Sequence, residues 1–430
     1  DRSAQRWALV LIGCIAVVTL ALLVGFLVHG YRLRQLSALR LEAARLRVER
    51  GNLADYTASA QLLGATGGAG SGGAAVQHLH ARLVAAIPIE FGDRWGAAPA
   101  PIADGAWEDD EEAAAAVYLR LVGGQLDQAE ALAARALRSF PESALLLYLR
   151  GRLALLRGEP ERAQQWLMQA TQRAPRAVLF AAALGEALRG RGEPSLALQQ
   201  YQRALQLNRV HVASALGRAR CLLELERLAD AGRQLQQVLH GELRAEAARG
   251  QQAWAFLLLG NLHRVARDPD EARRDLQQAR SLAPATDPVF LEELAWALMA
   301  VDRVGEAETA AAAAAALMPG RPRAALLSAT VLLREGRLQE AWEQAQRAST
   351  LAEAALVRAE VEFRVGRVEQ AARELQSWPV VASSPAGQLL AARVAAARGE
   401  SEDALAAARE LAASQPAQVA ALTVVGGLLL

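Results

Sequence analysis

Residues 158–175 read GEPERAQQWLMQATQRAP, and from residue 192 the chain reads GEPSLALQQYQRALQLNR. The repetition extends past the tripeptide to the spacing behind it, with an alanine five residues after the glycine and a second alanine seven beyond the first. Aligning the whole chain on the first alanine gives Ala129, Ala163, Ala197, Ala231, Ala272, Ala307, Ala341, Ala371 and Ala404, at steps of 34, 34, 34, 41, 35, 34, 30 and 33. A period near 34 residues is the signature of a helix-turn-helix array.

Supporting positions recur around each anchor. A turn glycine lies five residues before it at Gly124, Gly158, Gly192, Gly336, Gly366 and Gly399. Twelve residues before it stands a small residue: Gly151, Gly185, Ala219, Gly260, Ala295, Ala329, Ala359 or Ala392. Seven after it, Ala136, Ala170, Ala204, Ala279, Ala314 and Ala348 repeat the theme, and twelve after it Pro141, Pro175, Pro284, Pro319 and Pro416 end the unit. Two helices approach closely only where side chains are small, so one Gly or Ala per helix sets the crossing. Larger residues such as Leu153, Leu167, Leu188 and Tyr201 fill the space between, and proline stops the helix it follows.

On these residues the chain resembles the tetratricopeptide repeat family over residues 108–416, about nine units. The resemblance implies an all-α solenoid that works by presenting a concave surface, lined by the first helix of each unit, to a segment of a partner. Some units depart from the pattern. The first has Val117 at its small position, the fourth lacks a turn glycine and closing proline, and the eighth is short. HGELRAEAARGQQ (240–252) accounts for the step of 41, as an extended second helix or a loop that divides the array into four and five units.

Counting one residue on from each small position gives a row that the family's geometry turns into the groove: Tyr118, Arg152, Glu186, Arg220, Asn261, Trp296, Thr330, Glu360 and Arg393. Interfaces draw their energy from a few aromatic and arginine anchors. The partner-binding residues expected are therefore Arg152, Glu186, Arg220, Asn261, Arg264 and Trp296. The family's best-known groove clamps a carboxyl terminus with lysine and asparagine. Asn261 stands at the asparagine position, but every one of the 47 basic residues is arginine, which argues against that clamp.

The amino end has a different character. WALVLIGCIAVVTLALLVGFLVH (7–29) is uncharged and, at 1.5 Å per residue, spans about 34 Å as a helix, enough for a bilayer core. It is read as a transmembrane helix; a cleaved signal peptide would have a shorter apolar region and a small-residue cleavage site. Residues 30–63 continue as a membrane-proximal helix carrying Leu36, Leu39, Ala43, Leu46 and Leu53 on one stripe, either a short coiled-coil seam or a face for a neighbouring helix. Residues 64–107 form a Gly-rich linker and connector. The G-x-G-x-x-G at Gly68, Gly70 and Gly73 follows a helix rather than a strand, so it reads as linker and not as a dinucleotide loop. Five acids, Glu108 to Glu112, suit the first turn of a helix. Residues 417–430 form a capping helix or, with Gly426 in register, the start of a further repeat.

With 53 % hydrophobic and 22 % charged residues and a net charge of +1, the composition gives no electrostatic reason to expect a nucleic-acid partner. Cys14 and Cys221 form no disulfide framework, and His78 and His80 lack cysteine or carboxylate at ligand spacing. No catalytic constellation, metal site or cofactor site is expected, and no small-molecule substrate. The reading is a non-enzymatic, membrane-anchored scaffold that recruits proteins, subunits of a membrane complex among them. The alternative is a sensory or regulatory region of a larger protein whose catalytic or metal-binding domain precedes residue 1. The expected place is a bacterial inner membrane, single-pass. Arg32, Arg34, Arg40, Arg45 and Arg47 after the span, against Arg2 and Arg6 before it, put the repeats in the cytoplasm, with the periplasm as the alternative.

Overall fold

Helical periodicity dominates the sequence, and in the computed structural model all regular structure among the described residues, 2–64, 74–91, 102, 105, 107–283 and 287–414, is helical. Three helices precede the repeats: α1 (Arg2–Val48), α2 (Leu53–Gly64) and α3 (Ala74–Phe91). Nine helix pairs follow among the described residues. Units one to three pair Asp110–Val122 with Leu126–Ser139, Ala144–Arg157 with Pro160–Arg173, and Val178–Gly190 with Pro194–Leu207. Units four to six pair Val212–Glu224 with Leu228–His240, Arg249–Val265 with Pro269–Ser281, and Pro288–Ala300 with Val304–Leu317. Units seven to nine pair Pro322–Glu335 with Leu338–Arg347, Ala352–Arg364 with Val368–Ser377, and Pro385–Ala397 with Ser401–Ser414.

The anchors set the packing. All nine alanines from Ala129 to Ala404 are fully buried, as are Val117, Ala219, Ala295, Ala329 and Ala359 at the small position of the first helix. Where that position is glycine, a bulky side chain of the second helix fills the vacancy. A Cβ on Gly151 would run into Leu167, one on Gly185 would lie 3.0 Å from the Tyr201 ring, and one on Gly260 would lie 2.8 Å from Leu276. Each of those partners sits sixteen residues on, so the volume missing from one helix is supplied by the other.

The turn inside each unit has a single geometry. Gly124, Gly158, Gly192, Gly336, Gly366 and Gly399 all take a left-handed backbone, and the residue after each donates its N–H to the carbonyl five positions back, as Glu159 does to Ala154 at 2.9 Å and Arg367 to Glu362 at 2.8 Å. This is the Schellman closure of a helix C-terminus. Units four, five and six lack the glycine yet keep the closure. Glu226, Arg267 and Asp302 stand at φ 57°, 63° and 62°, followed by Arg227 to Leu222, Asp268 to His263 and Arg303 to Leu298 at 2.8 to 2.9 Å. Packing on both sides of the turn imposes a conformation that an L side chain disfavours.

The step of 41 is absorbed without breaking the array. The second helix of unit four ends at His240, a 3₁₀ turn follows at Glu242–Ala245, and the first helix of unit five is lengthened to 17 residues. Leu243 and Ala247 join a core that runs from Leu235 and Val238 to Ala255 and Leu258, so the expected division into four and five units does not occur. At the start of the array the acids fall as expected. Asp109 caps the first helix of unit one by accepting from Glu112 N at 2.9 Å, and the Glu112 carboxylate accepts from Glu108 N.

The membrane-proximal segment differs from expectation. Instead of one helix over 30–63, α1 ends at Val48 and the chain turns at Glu49–Asn52, with Gly51 at φ +72°. The turn is held from the repeats. Val178 N donates to Glu49 O at 3.2 Å, Asn208 Nδ2 donates to Arg50 O at 2.7 Å, and Leu179 and His211 close over Gly51. His211 also caps the first helix of unit four by accepting from Ser214 N, and burial lowers its pKa to about 4, so the neutral ring is the one in place. Ala44 on α1 is fully buried, and Tyr56, Leu63, Leu79, Leu83 and Phe91 of α2 and α3 belong to the same core as units one to three. Part of the stretch expected to be connector is therefore helical: α3 packs on the first helix of unit one. The glycine-rich residues 65–73, Trp95, Pro284, Pro416 and the tail with Gly426 lie outside the described residues.

The shared turn geometry makes a directional forecast. Replacing Glu226, Arg267 or Asp302 with glycine removes left-handed strain and should raise stability by up to about 1 kcal/mol each, whereas Gly336→Ala, with open space around its Cβ, should lower it by about the same amount. Denaturant unfolding measures both. Destabilisation by Glu226→Gly together with no change in Gly336→Ala would refute a common turn geometry.

Candidate functional site

The inner face of the solenoid is built by the first helices, and its opening third is filled by the chain itself. The end of α3 brings Glu90 between two units. Its carboxylate accepts from Tyr118 Oη and from Tyr148 Oη, each at 2.7 Å, with Arg152 Nε 3.7 Å away. Burial, then the charge on Glu90, pushes both tyrosine hydroxyls well above their ordinary range, which keeps them as donors. Tyr118 thus serves an internal contact where an open groove position is expected.

Further along, the row neutralises itself. Arg152 meets Glu186 at 2.9 Å, and Arg393 meets Glu360 at 2.9 Å, each pair joining neighbouring units. Arg220 reaches across to Glu293 of unit six at 3.0 Å and lies over the Trp254 ring at 5.0 Å. Burial works against ionising Glu186 and Glu293, but Arg152 and Arg189 beside the first, and Arg220 and Arg323 beside the second, outweigh it and hold both below the usual carboxylate range. Thr330 turns its hydroxyl back to Leu326 O of its own helix. Between the end of α3 and units two to six, only about 190 Å³ remains open.

The superhelix also touches itself. Gly124 in the turn of unit one faces the Leu317 carbonyl at the end of unit six so closely that no side chain fits, and Gly158 in the turn of unit two faces Leu351 at the start of unit eight. Between these contacts, Arg321 bridges the two sides: Nε binds Glu292 Oε1 at 2.6 Å, and Nη1 donates to Leu156 O at 3.2 Å, across 165 residues. Leu156 lies in the last turn of a helix, where carbonyls lack partners, so the guanidinium satisfies one of them. What this contact leaves open is a cavity of about 1100 Å³ between units two and three on one side and units six to nine on the other.

Of the residues expected at the partner surface, Glu186 and Trp296 line this large cavity, while Arg152, Glu186 and Arg220 line the small one. Asn261 and Arg264 line neither; Asn261 is half-buried and Arg264 exposed on the first helix of unit five. Sequence reasoning missed Glu90, Glu293 and Arg321. Two of them had a signal: Glu90 is a lone carboxylate closing the apolar run LVAAIPIEF, and Glu292–Glu293 interrupts VFLEELAWALMA. An acid within an otherwise buried helical pattern calls for a partner. Arg321 had none.

The two histidines considered as metal ligands serve different neighbours. His78 Nδ1 lies 3.0 Å from Asp109 Oδ2, whereas the His80 ring lies against Gly64, and no cluster of three metal-ligating side chains occurs among the described residues. Cys221 is a buried thiol, pushed up to about 12 by burial.

Burial, more than the number of partners, decides which ion pair matters. Arg337 approaches Glu308, Glu335 and Glu340 but is 44 % exposed, so Arg337→Ala should change stability little. Arg321 and Glu292 are 4 % and 3 % exposed, and Arg321→Ala strands a buried carboxylate, which should cost about 3 to 5 kcal/mol, eased where Glu292 takes up a proton. Burial already raises the Glu292 pKa despite Arg321. Comparing the two melting temperatures checks this ranking; equal losses would contradict the bridge.

The tetratricopeptide repeat family model matches residues 114–178 and 182–254, which cover units one to four and the start of unit five. No curated protein matches the chain. Among solved structures, a chain of the APC/C hetero-tetramer Cut9–Hcn1 is similar at 14 % identity, over 93 % of this chain and 84 % of that one, with a TM-score of 0.58. YrrB, described as a TPR protein with an unusual peptide-binding site, shares 22 % identity over 45 % of this chain and 93 % of its own, with a TM-score of 0.32. PilW, a type IV pilus biogenesis factor, shares 20 % identity over 53 % and 100 %, with a TM-score of 0.38. The likeness to the Cut9–Hcn1 chain is one of fold alone. Period, turn closure and helix-pair packing agree with the family match, and residues 114–178 and 182–254 carry tetratricopeptide repeats.

Proposed function

We propose that this chain is a membrane-anchored scaffold that holds a segment of another protein in the large cavity and so recruits or assembles proteins at a membrane. The observation that carries the reading is the cavity itself. A volume of about 1100 Å³ exceeds the roughly 300–1,000 Å³ of small-ligand pockets. Its wall carries Trp296 and several leucines beside the charged residues, in a solenoid of a kind that acts through protein–protein interaction.

The anchor rests on α1. Val17, Leu20, Leu22, Leu23, Phe26 and Leu27 are each more than half exposed, and the helix is long and apolar enough to cross a membrane. An exposed apolar run of that length favours lipid over water. The arginines that follow it put the repeats on the cytoplasmic face by the positive-inside tendency.

A photo-crosslinking side chain at Thr330 or Leu389, which line the cavity, should capture a partner in native membranes, while the same group at exposed Gln199 should not. Labelling at all three positions alike would count against the cavity. In the same preparation the chain should stay in the membrane pellet after carbonate extraction, and its release would remove the anchor from the reading.

A further inference from the structure

The charges around the large cavity do not cancel. Six arginines face it: Arg189, Arg321, Arg323, Arg334, Arg364 and Arg393. Arg189 and Arg321 are matched from behind by Glu224 and Glu292. Arg364 and Arg393 share one carboxylate, Glu360, at 2.7 and 2.9 Å. Arg334 donates to a neutral carbonyl, Met299 O, at 3.1 Å, and exposed Arg323 makes no ion pair among the described residues. The cavity's inner carboxylates, Glu186 and Glu293, are already matched by Arg152 and Arg220. Counted one to one, three guanidinium charges have no carboxylate of their own: Arg323, which lies near Glu293 but behind its pairing with Arg220, Arg334, and one of the Arg364–Arg393 pair. Exposed Glu161 and Glu353 also line the cavity, but beside the Gly158–Leu351 contact at its edge. Apolar surface accompanies the positive charge, with Trp296, Leu326, Leu333, Leu356 and Leu389 on the same wall.

We propose that the segment this cavity accepts is acidic, an extended polypeptide with one large apolar side chain against Trp296 and carboxylates directed at Arg323, Arg334 and the Arg364–Arg393 pair. This rests on the cavity being the binding surface, and it names the chemistry of the occupant. Arginine forks bind carboxylates with two parallel hydrogen bonds, and a recessed wall strengthens them over the same pairs in open water. A basic segment would add to an uncompensated positive wall and leave all three guanidiniums without partners.

The test uses the full chain in a neutral detergent and three fluorescent peptides, each with a central leucine flanked by glutamate, by glutamine or by arginine. With each matched pair adding modestly, the glutamate peptide should bind about tenfold tighter than the glutamine peptide at low salt, and the difference should shrink at about 0.5 M salt. The double variant R323E/R334E alters two exposed side chains and should abolish the preference, while Trp296→Ala should weaken the glutamate and glutamine peptides alike. Equal affinity for those two peptides, both weakened by Trp296→Ala, would overturn the acidic assignment and leave the cavity as the binding surface. Tighter binding of the arginine peptide, or a preference unchanged in R323E/R334E, would also overturn it. Binding indifferent to Trp296→Ala, or no binding of any peptide, would overturn the cavity reading along with it.

Discussion

Tyr201 lies between two glycines, Gly185 of its own unit and Gly217 of the next, and neither could carry a Cβ without displacing the ring. That contact is the local form of a constraint met in every unit: helix axes approach only where one side chain is absent or reduced to a methyl group, and the facing helix supplies the missing volume. The same few positions impose it along the array, and successive pairs stack on one another to build the superhelix. The left-handed turn residue belongs to the same constraint. Once the two helices are locked at their crossing, the connection has one available path, and even glutamate, arginine and aspartate follow it at units four to six.

A superhelix wound this tightly has an inner face that cannot remain uniformly available. Its first units receive Glu90 from α3, its middle units exchange Arg220 and Glu293, and Arg321 fastens unit seven to the end of a helix in unit two. These contacts are few beside the helix-pair packing, but Glu90 and Arg321 are buried, and a buried charge left without its partner is costly. The consequence for function is partition. The part of the groove closed by internal pairs is structural, and open volume is left in the cavity lined mainly by units six to nine, the surface proposed above for binding.

The array was legible from sequence because its determinants repeat. Nine alanines at a period near 34, with glycine or alanine twelve residues before eight of them, identify units, turns and buried faces, and the structure places every one of those nine alanines at full burial. The turn at Glu226 was legible by position though not by residue type. What escaped has no period. The bend at Gly51 depends on Val178 and Asn208, the placement of Glu90 on tyrosines 28 and 58 residues away, and the bridge from Arg321 on a carbonyl 165 residues back. Each joins parts of the chain whose proximity appears only after the superhelix has closed. For the same reason the groove row carried no sign that Tyr118, Arg152 and Arg220 meet other parts of the chain.

Closure of the superhelix between its early and late units is the claim on which both the filled groove and the open cavity depend. Spin labels at Glu161 and Glu353, with Cys14 and Cys221 replaced by alanine, flank the Gly158–Leu351 contact and measure it by pulsed dipolar spectroscopy in the full chain. The account predicts one narrow distribution at the short end of the method's range. An open array would hold the labels apart by the helices between them, stacked at roughly 10 Å each, and a long, broad distribution would contradict the closure.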